Sequence, residues 1–506
     1  MSSDMNSKIT QLVSILLRKM RGRSKNVAHK LCAERLRKMS STKSQIEELW
    51  ELADFESLSS LQFQPEDQGA KHILNEARAA LRLLNSPLLS EKAIGRKLND
   101  SERYKTVAIL HSSLPHHPGG YSNRAQGLLQ GISKLGVELT GYTRPGFYRE
   151  RVNKTATAPL PVDTVENITY QHLVDRVPRG RGEFQYMESC IEIYREVFTA
   201  EKPNIVHVRS TYLIALPAII AAKSLGIPVL YEVSGLWELV YEGRNEIGRA
   251  NRTTRMENAA VLSATRTVTM NAAMAALLKD RVGEPIEIGL VPNAVDLEKF
   301  SQLPSWETQE EKYDLGYIGS LVDYEGLDLL LRAIAYLREQ GYEFNAKIVG
   351  RGHQLQPLKE LSAELQIEDL VAFTGPVPAD QVQTHFAQIR TIVLPRKSTP
   401  ATECVTPLKP FEAMASKRAL ITSTVSAMHE LSLDGTATTV FEKDDFFSLA
   451  EAILQLHSNS QQRQSQIQRA YEMVDGYHSW DNIARIMESE LRANARAEYS
   501  FFPYRG

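Results

Sequence analysis

The chain has 506 residues, 42% hydrophobic and 24% charged, enough for about three domains with sizeable cores. Fifty-nine basic against sixty-one acidic residues leave a net charge of −2, which excludes a global field for nucleic acid and confines electrostatic recognition to local patches. Cys32, Cys190 and Cys404 stand far apart without metal-ligand spacing, and neither a long apolar run nor a signal-peptide pattern occurs, so a disulfide scaffold and a membrane span are excluded and a cytoplasmic location is expected.

Residues 1–102 read as a helical, basic N-terminal extension. Its first 40 residues carry ten Lys/Arg against two acids, and Ile9, Leu12, Val13, Leu16, Leu17 and Met20 recur at the three-and-four spacing of one helical face. Two uses of residues 8–38 stay open: docking on an anionic membrane as a peripheral protein of the inner face of the plasma membrane, or packing and oligomerisation. Gln45 to Leu61 and His72 to Leu84 read as further helices.

At Tyr104 the pattern changes. Thr106 to His111 is a buried-type strand, and it runs into SSLPHHPGGYSNRAQGLLQGISKLG, a loop with paired glycines followed by a long helix. Gly119 and Gly120 either let backbone amides approach an anion or simply turn the chain. His116, His117, Tyr121 and Arg124 are candidate ligand contacts, with His117 nearer the glycines. Asn204 to Val208, Val229 to Val233 and Thr267 to Met270 read as strands, with Leu216 to Leu225 and Met256 to Ala264 as helices between them. HVRSTY puts His207 and Arg209 where the sheet opens, and YEVSGLWE puts Glu232, Trp237 and Glu238 in a loop able to cover a pocket. His207 reads as a core histidine, and Arg209 as either an ordinary loop arginine or a functional one, since an Arg buried at a sheet edge needs a partner.

Ser301 to Lys312 is a polar linker, after which Asp314 to Ile318 reads as a strand ending in Gly319 and Ser320. AKIVGRG, with Gly350, is a strand ending in glycines that free space for a nucleotide, and AFTGPVP, with Gly375, is a strand whose loop backbone can pair with a base edge. Ile392 to Leu394 is a strand stopped by Pro395, so Arg396 and Lys397 emerge at a carboxyl strand edge, where ligands of open α/β sheets bind. Thr406, Pro407 and Leu408 lead into a helix whose first-turn amides are expected to be free, and Lys409 adds a full charge there. Glu412 can accept from both hydroxyls of a ribose. Cations for a diphosphate beside a carboxylate for a sugar constitute a nucleotide grip, and the absence of an Asp-x-Asp motif points to a metal-independent one.

TPLKPFEAMASKRALITSTVSAMHEL resembles the donor-site helix of the retaining glycosyltransferases of family four, which have the GT-B fold: α/β, two Rossmann-like domains facing a cleft. The resemblance implies an acceptor domain over residues 103–300, completed by a C-terminal helix at 475–495, and a donor domain over 301–474 with Val440 to Leu456 as its closing helix region. Glu412 matches the second Glu of the family pattern, whereas the first falls on Cys404, with Glu403 one residue off register. VPNAVDLEKF resembles the family's Pro-Asn-Gly-Val-Asp segment with Ala294 in place of Gly. The family's Arg and Lys that neutralise the leaving diphosphate are replaced by Ser320 and Glu325, so Arg396 and Lys397 are expected to take over, in a variant pattern similar to a bacterial exopolysaccharide subgroup.

What the resemblance implies is hexosyl transfer with retention, from a nucleotide diphosphate sugar (UDP-sugar ahead of GDP-sugar) to a hydroxyl of a glycan or lipid-linked acceptor, in polysaccharide or glycoconjugate synthesis. Arg396, Lys397 and Lys409 would be catalytic; Gly119, Gly120, Arg209, Gly319, Ser320, Gly350, Gly375, Thr406, Pro407, Leu408 and Glu412 would bind the donor; His117, Tyr121, Arg124 and Glu232 the acceptor, with no metal or cofactor. A non-catalytic nucleotide-sugar-binding partner of another transferase stays open through Ser320 and Glu325, as does a sugar-nucleotide phosphorylase or synthase. A dinucleotide oxidoreductase fails for want of G-x-G-x-x-G after any strand.

Overall fold

The strands β1 (Lys105–Leu110), β5 (Ile205–Arg209) and β6 (Val229–Val233) are buried almost without interruption rather than at alternate residues. A strand buried on both faces belongs in a parallel sheet covered by helices on either side. In this computed structural model, which describes residues 42–61, 67–91, 98–99, 101–283, 285–378, 381–433 and 435–495, that is the arrangement found. The basic segment 8–38, with its membrane or packing role, lies outside the described residues.

The described chain divides into two compact units, one up to Val291 and again from Met487, the other from Pro292 to Ile486. The first holds an eight-stranded sheet in the order β3-β4-β2-β1-β5-β6-β7-β8, where β2 is Glu138–Thr143, β3 Val162–Val165, β4 Ile168–His172, β7 Arg266–Thr269 and β8 Ile288–Leu290. All neighbours are parallel except the edge pair β3–β4. The second holds six parallel strands in the order β11-β10-β9-β12-β13-β14: β9 is Tyr313–Ile318, β10 Ala346–Val349, β11 Val371–Gly375, β12 Ile389–Leu394, β13 Ala419–Ser423 and β14 Thr439–Phe441. Both are Rossmann-like, as the sequence suggests.

Three local readings change. The single helix expected over 45–61 is two, Thr42–Glu51 and Phe55–Ser60, broken where Ala53 takes φ 56° and Asp54 accepts from the Ser57 amide. The donor-site segment is not one long helix. Seven residues, Lys409–Ala415, are helical, Lys417 turns with φ 54°, and the β-rich ALITS forms β13. The region expected as a closing helix from Val440 starts with β14, and its helix is Phe446–Ser458.

The extension forms an outer layer of the first unit. Trp50 and Phe55 meet Phe184 of the helix Glu183–Glu201, with ring centroids 6.0 and 5.5 Å apart. That helix has no side-chain cap of its own at Gly182. Glu76, from the helix Gln68–Leu84, supplies one by accepting from the Phe184 amide at 2.8 Å and the Gln185 amide at 3.3 Å. The C-terminal helix Trp480–Asn494 returns to this unit, where Arg266 holds Glu490 at 2.8 and 2.9 Å. Among the described residues no helix is long and apolar enough to cross a membrane.

Candidate functional site

In the second unit the chain lays down β9, β10 and β11 toward one edge, then restarts with β12 on the other side of β9. Ligands of open α/β sheets bind outside the carboxyl ends of the strands at such a reversal. Here β9 is followed by Gly319 and β12 by Pro395 and Arg396, while Glu325 closes a turn, Asp323–Glu325, next to them.

The glycines are set by close approach. A Cβ on Gly319 would lie 2.2 Å from Lys409 Cε, and one on Gly350 only 1.8 Å from the Gly319 carbonyl oxygen. Gly350 in turn donates its amide to the Gly375 carbonyl at 2.9 Å. The three strand-end glycines singled out in the sequence are thus gathered at the ends of β9, β10 and β11.

Beside them Lys409 Nζ lies 2.8 Å from Glu325 Oε1, and Arg396 Nε 4.0 Å from the same oxygen. Glu325 is 4% exposed. Burial opposes its charge, but Lys409 and Arg396 more than offset that and hold the carboxyl below its ordinary range. Two cations share one carboxylate, leaving a surplus positive charge. Arg396 also donates from Nη1 to the Val405 carbonyl at 2.8 Å, and its buried Nε has no hydrogen-bond partner among the described residues. Glu325, which in the sequence looked like the loss of a needed cation, is the counter-ion that fixes the two that remain.

Not every expected residue joins them. Lys397 turns to Asp328, at 2.7 Å, because its backbone is pinned by the Tyr324 carbonyl; it forms a separate neutral pair rather than part of the cation cluster. Ser320 is exposed, and its carbonyl takes the Tyr317 hydroxyl at 2.8 Å. Thr406 is buried with its carbonyl held by Asn293 Nδ2 at 2.7 Å, and Pro407 and Leu408 lead from it into the short helix. The first-turn amides there are not the free set expected. Pro410 has no N–H, and the Phe411 and Glu412 amides both point to the Leu408 carbonyl.

Glu412 is half-buried, and burial pushes its carboxyl up, with Lys409 and Lys299 acting against that. Among the described residues its carboxylate takes no hydrogen bond or ion pair, which leaves it available to a ligand. Glu403 is the opposite case. It accepts from Ser398 Oγ at 2.6 Å, from the Ser426 amide and hydroxyl at 2.9 and 2.6 Å, and from Lys443 at 2.8 Å. Burial works against its charge, yet Lys443 and the serines pull the carboxyl down to about 2. It braces the loop after β12.

In the first unit the order reverses between β1 and β5, and the paired glycines follow β1. Gly119 and Gly120 are exposed, and a Cβ on either would meet nothing within 4 Å. The backbone is therefore open to an approaching group. His117 Nδ1 is 2.9 Å from Ser112 Oγ, which places it on the same loop.

Behind the glycines lies a fully buried charge cluster. Glu232 is 0% exposed, with Arg124 Nε, Arg209 Nε and His207 Nε2 each at 2.9 Å. Burial opposes the carboxylate's charge, and Arg209 and Arg124 hold it well below the usual range. His207 is a core histidine, as the sequence suggests. Arg124 and Glu232, expected to touch an acceptor, are instead interior, because each is the other's counter-ion. Arg209 is interior too: it donates to the Tyr121 carbonyl at 3.0 Å and stacks on the Tyr121 ring, 4.6 Å from its centre. Tyr121 accepts the His111 amide at 2.9 Å. Arg209 thereby braces Tyr121, the residue that follows the Gly119–Gly120 turn. Glu238, expected in a covering loop, is buried against Arg281, while Trp237 is 46% exposed.

Residues 298–473 match the family described as Glycosyl transferases group 1, and residues 119–294 the Glycosyl transferase 4-like domain. A GDP-mannose-dependent α-(1-6)-phosphatidylinositol monomannoside mannosyltransferase of Mycolicibacterium smegmatis is 27% identical over 172 residues, 32% of this chain and 45% of that protein. The chain spans about half the length of the curated relatives it matches. Among solved structures, sucrose-phosphate synthase from Thermosynechococcus elongatus superposes with a TM-score of 0.63 at 17% identity, covering 77% of this chain and 98% of that one. Anabaena HepE in complex with UDP and glucose does so with a TM-score of 0.58 at 17% identity, covering 77% and 99%. With one glycosyltransferase domain recognised in each of its two Rossmann-like units, the chain belongs to the family-four type of glycosyltransferases with the GT-B fold.

Proposed function

We propose that the protein transfers a hexosyl group, with retention at the anomeric carbon, from a nucleotide diphosphate sugar to a hydroxyl of a glycan or lipid-linked acceptor in polysaccharide or glycoconjugate synthesis. The observation that carries this reading is the pair Lys409 and Arg396 on Glu325 at the β9/β12 reversal, beside strand-end glycines. Charge accumulates on the departing diphosphate, and preorganised cations stabilise that charge most where water is excluded. Glu412, with an unengaged carboxylate on the same short helix, suits the ribose hydroxyls. No pair of carboxylates is assigned as acid and base, and donor handling is proposed to need no metal.

Uridine is kept ahead of guanosine as the base. HepE is described with UDP, while the mycolicibacterial relative is named for GDP-mannose, so the choice belongs to experiment. The non-catalytic reading rests on Ser320 and Glu325, and its Glu325 half weakens because that carboxylate is neutralised by two cations. A panel of UDP- and GDP-sugars tested for donor hydrolysis by the purified full chain decides the matter. Hydrolysis of one donor, lost in Lys409→Ala, supports the enzyme; no hydrolysis of any donor with tight nucleotide binding retained overturns it.

A further inference from the structure

A second group of chemistry-bearing side chains sits at the carboxyl edge of the first unit's sheet, apart from both the glycines and the buried Glu232 cluster. His116 follows β1, His172 is the last residue of β4, and Asp163 lies on the edge strand β3. His116 Nε2 is 2.7 Å and His172 Nε2 2.8 Å from the same oxygen, Asp163 Oδ2, and the three ligand atoms all fall within 4.8 Å of one another. We propose that these three residues form a binding site for one divalent transition-metal ion of the zinc class, which clips the loop before the paired glycines to the β3–β4 edge.

The donor set selects the ion. Two imidazole nitrogens and one carboxylate suit zinc, whereas magnesium and calcium favour all-oxygen shells. Three protein ligands leave a fourth position for water. The side chains of His116 and Asp163 are each 21% exposed, so an ion can enter from solvent, while that of His172 is 0% exposed and gives the site a rigid floor.

The outer contacts agree. His172 Nδ1 is 2.8 Å from Thr143 Oγ1, the last residue of β2. A hydroxyl accepts as readily as it donates, so His172 can carry its proton on Nδ1 when Nε2 binds an ion, the arrangement in which outer partners orient metal-bound histidines. Tyr148 lies against both rings, 5.4 Å from His116 and 4.9 Å from His172, and limits their rotation. Zinc bonds of about 2.0–2.1 Å place tetrahedral ligand atoms about 3.3 Å apart. Asp163 must therefore withdraw by about half an ångström, a shift within reach of a carboxylate on a half-exposed edge strand. The inference is independent of the transfer reaction, whose cations lie in the other unit.

The test uses the full chain without a polyhistidine tag, stripped by chelator and titrated with Zn²⁺ by calorimetry, with Co²⁺ absorption as a second readout. One ion per chain, bound at least about tenfold more weakly by His116→Ala and by Asp163→Ala but unchanged in His353→Ala, is expected. His116 is partly exposed, so its variant should fold, which circular dichroism checks. Absence of a stoichiometric ion, or equal binding by His116→Ala and the parent chain, overturns the site and leaves a hydrogen-bonded clasp.

Discussion

Lys409 and Glu325 are 84 residues apart in sequence and 2.8 Å apart in space, and each is placed by the other. Removing the lysine leaves a carboxylate that is 4% exposed with, among the described residues, only the Arg396 cation at 4.0 Å to balance it. Breaking a buried pair costs about 3–5 kcal/mol, and the residual arginine should bring this to about 2–3 kcal/mol for Lys409→Ala, measured by urea unfolding. Donor turnover should fall at least about 100-fold, the effect of losing one preorganised charge. The double variant Lys409→Met/Glu325→Gln should regain stability without regaining turnover.

Two glycines should respond differently to one methyl group. At Gly350 it would meet the Gly319 carbonyl at 1.8 Å with φ +144°, so Gly350→Ala should lose at least about 2 kcal/mol of stability. At Gly120 it meets nothing within 4 Å, and Gly120→Ala should unfold within about 0.5 kcal/mol of the parent chain while slowing transfer, because it occupies space that a ligand needs. Thermal melts beside a transfer assay check both.

Glu232→Gln should cost about 3–5 kcal/mol, since it leaves Arg124 and Arg209 facing each other in a site of zero exposure. A loss below 1 kcal/mol in chemical unfolding would show that the cluster is not held by charge.

Acid and alkaline pH should act on different carboxylates. Glu403 has its carboxyl drawn down to about 2 from 4.5, so the stability it adds is present above pH 4.5 and is lost as pH falls toward 2. Glu403→Gln should flatten that acid limb of a melting-temperature profile.

Glu257 goes the other way. Burial, with Glu238 nearby, raises its carboxyl to about 7, so its contribution is present below pH 4.5 and fades as pH rises through 7. It accepts from the Tyr212 amide at 2.9 Å and the Tyr231 hydroxyl at 2.5 Å, contacts a glutamine can keep in part. Glu257→Gln should lose less stability than the parent between pH 6 and 8, read from the same profile.

Much of the architecture can be read from the residues, and the failures have physical causes. β5 and β6 are continuous apolar runs ended by polar residues, which leaves little choice of structure. β2, β3 and β4 are not buried throughout as β5 and β6 are, and they carry Thr, Tyr, Asp and Gln, so their hydrophobic signal is weak. The helix Glu183–Glu201 does show three-and-four spacing, at Phe184, Met187, Cys190, Tyr194 and Phe198, a signal that a strand-centred reading passes over. At the site, Arg396 and the strand-end glycines stand out in the sequence because they follow strands, and Lys409 because it opens a helix. Their counter-ion does not, because a carboxylate reads as the wrong charge until the fold places it between two cations. The reverse error affects Arg124 and Glu232, polar residues that look functional and are satisfied internally.

The cap that Glu76 provides has a practical meaning for anyone wishing to shorten this protein. Cutting away the chain ahead of β1 would strip a helix of the Rossmann core of the carboxylate at its leading end and lay bare the ring of Phe184. A truncation that stops ahead of Thr42 spares both, whereas one that runs to Tyr104 should yield material that aggregates, so the helical layer cannot be treated as a detachable tail.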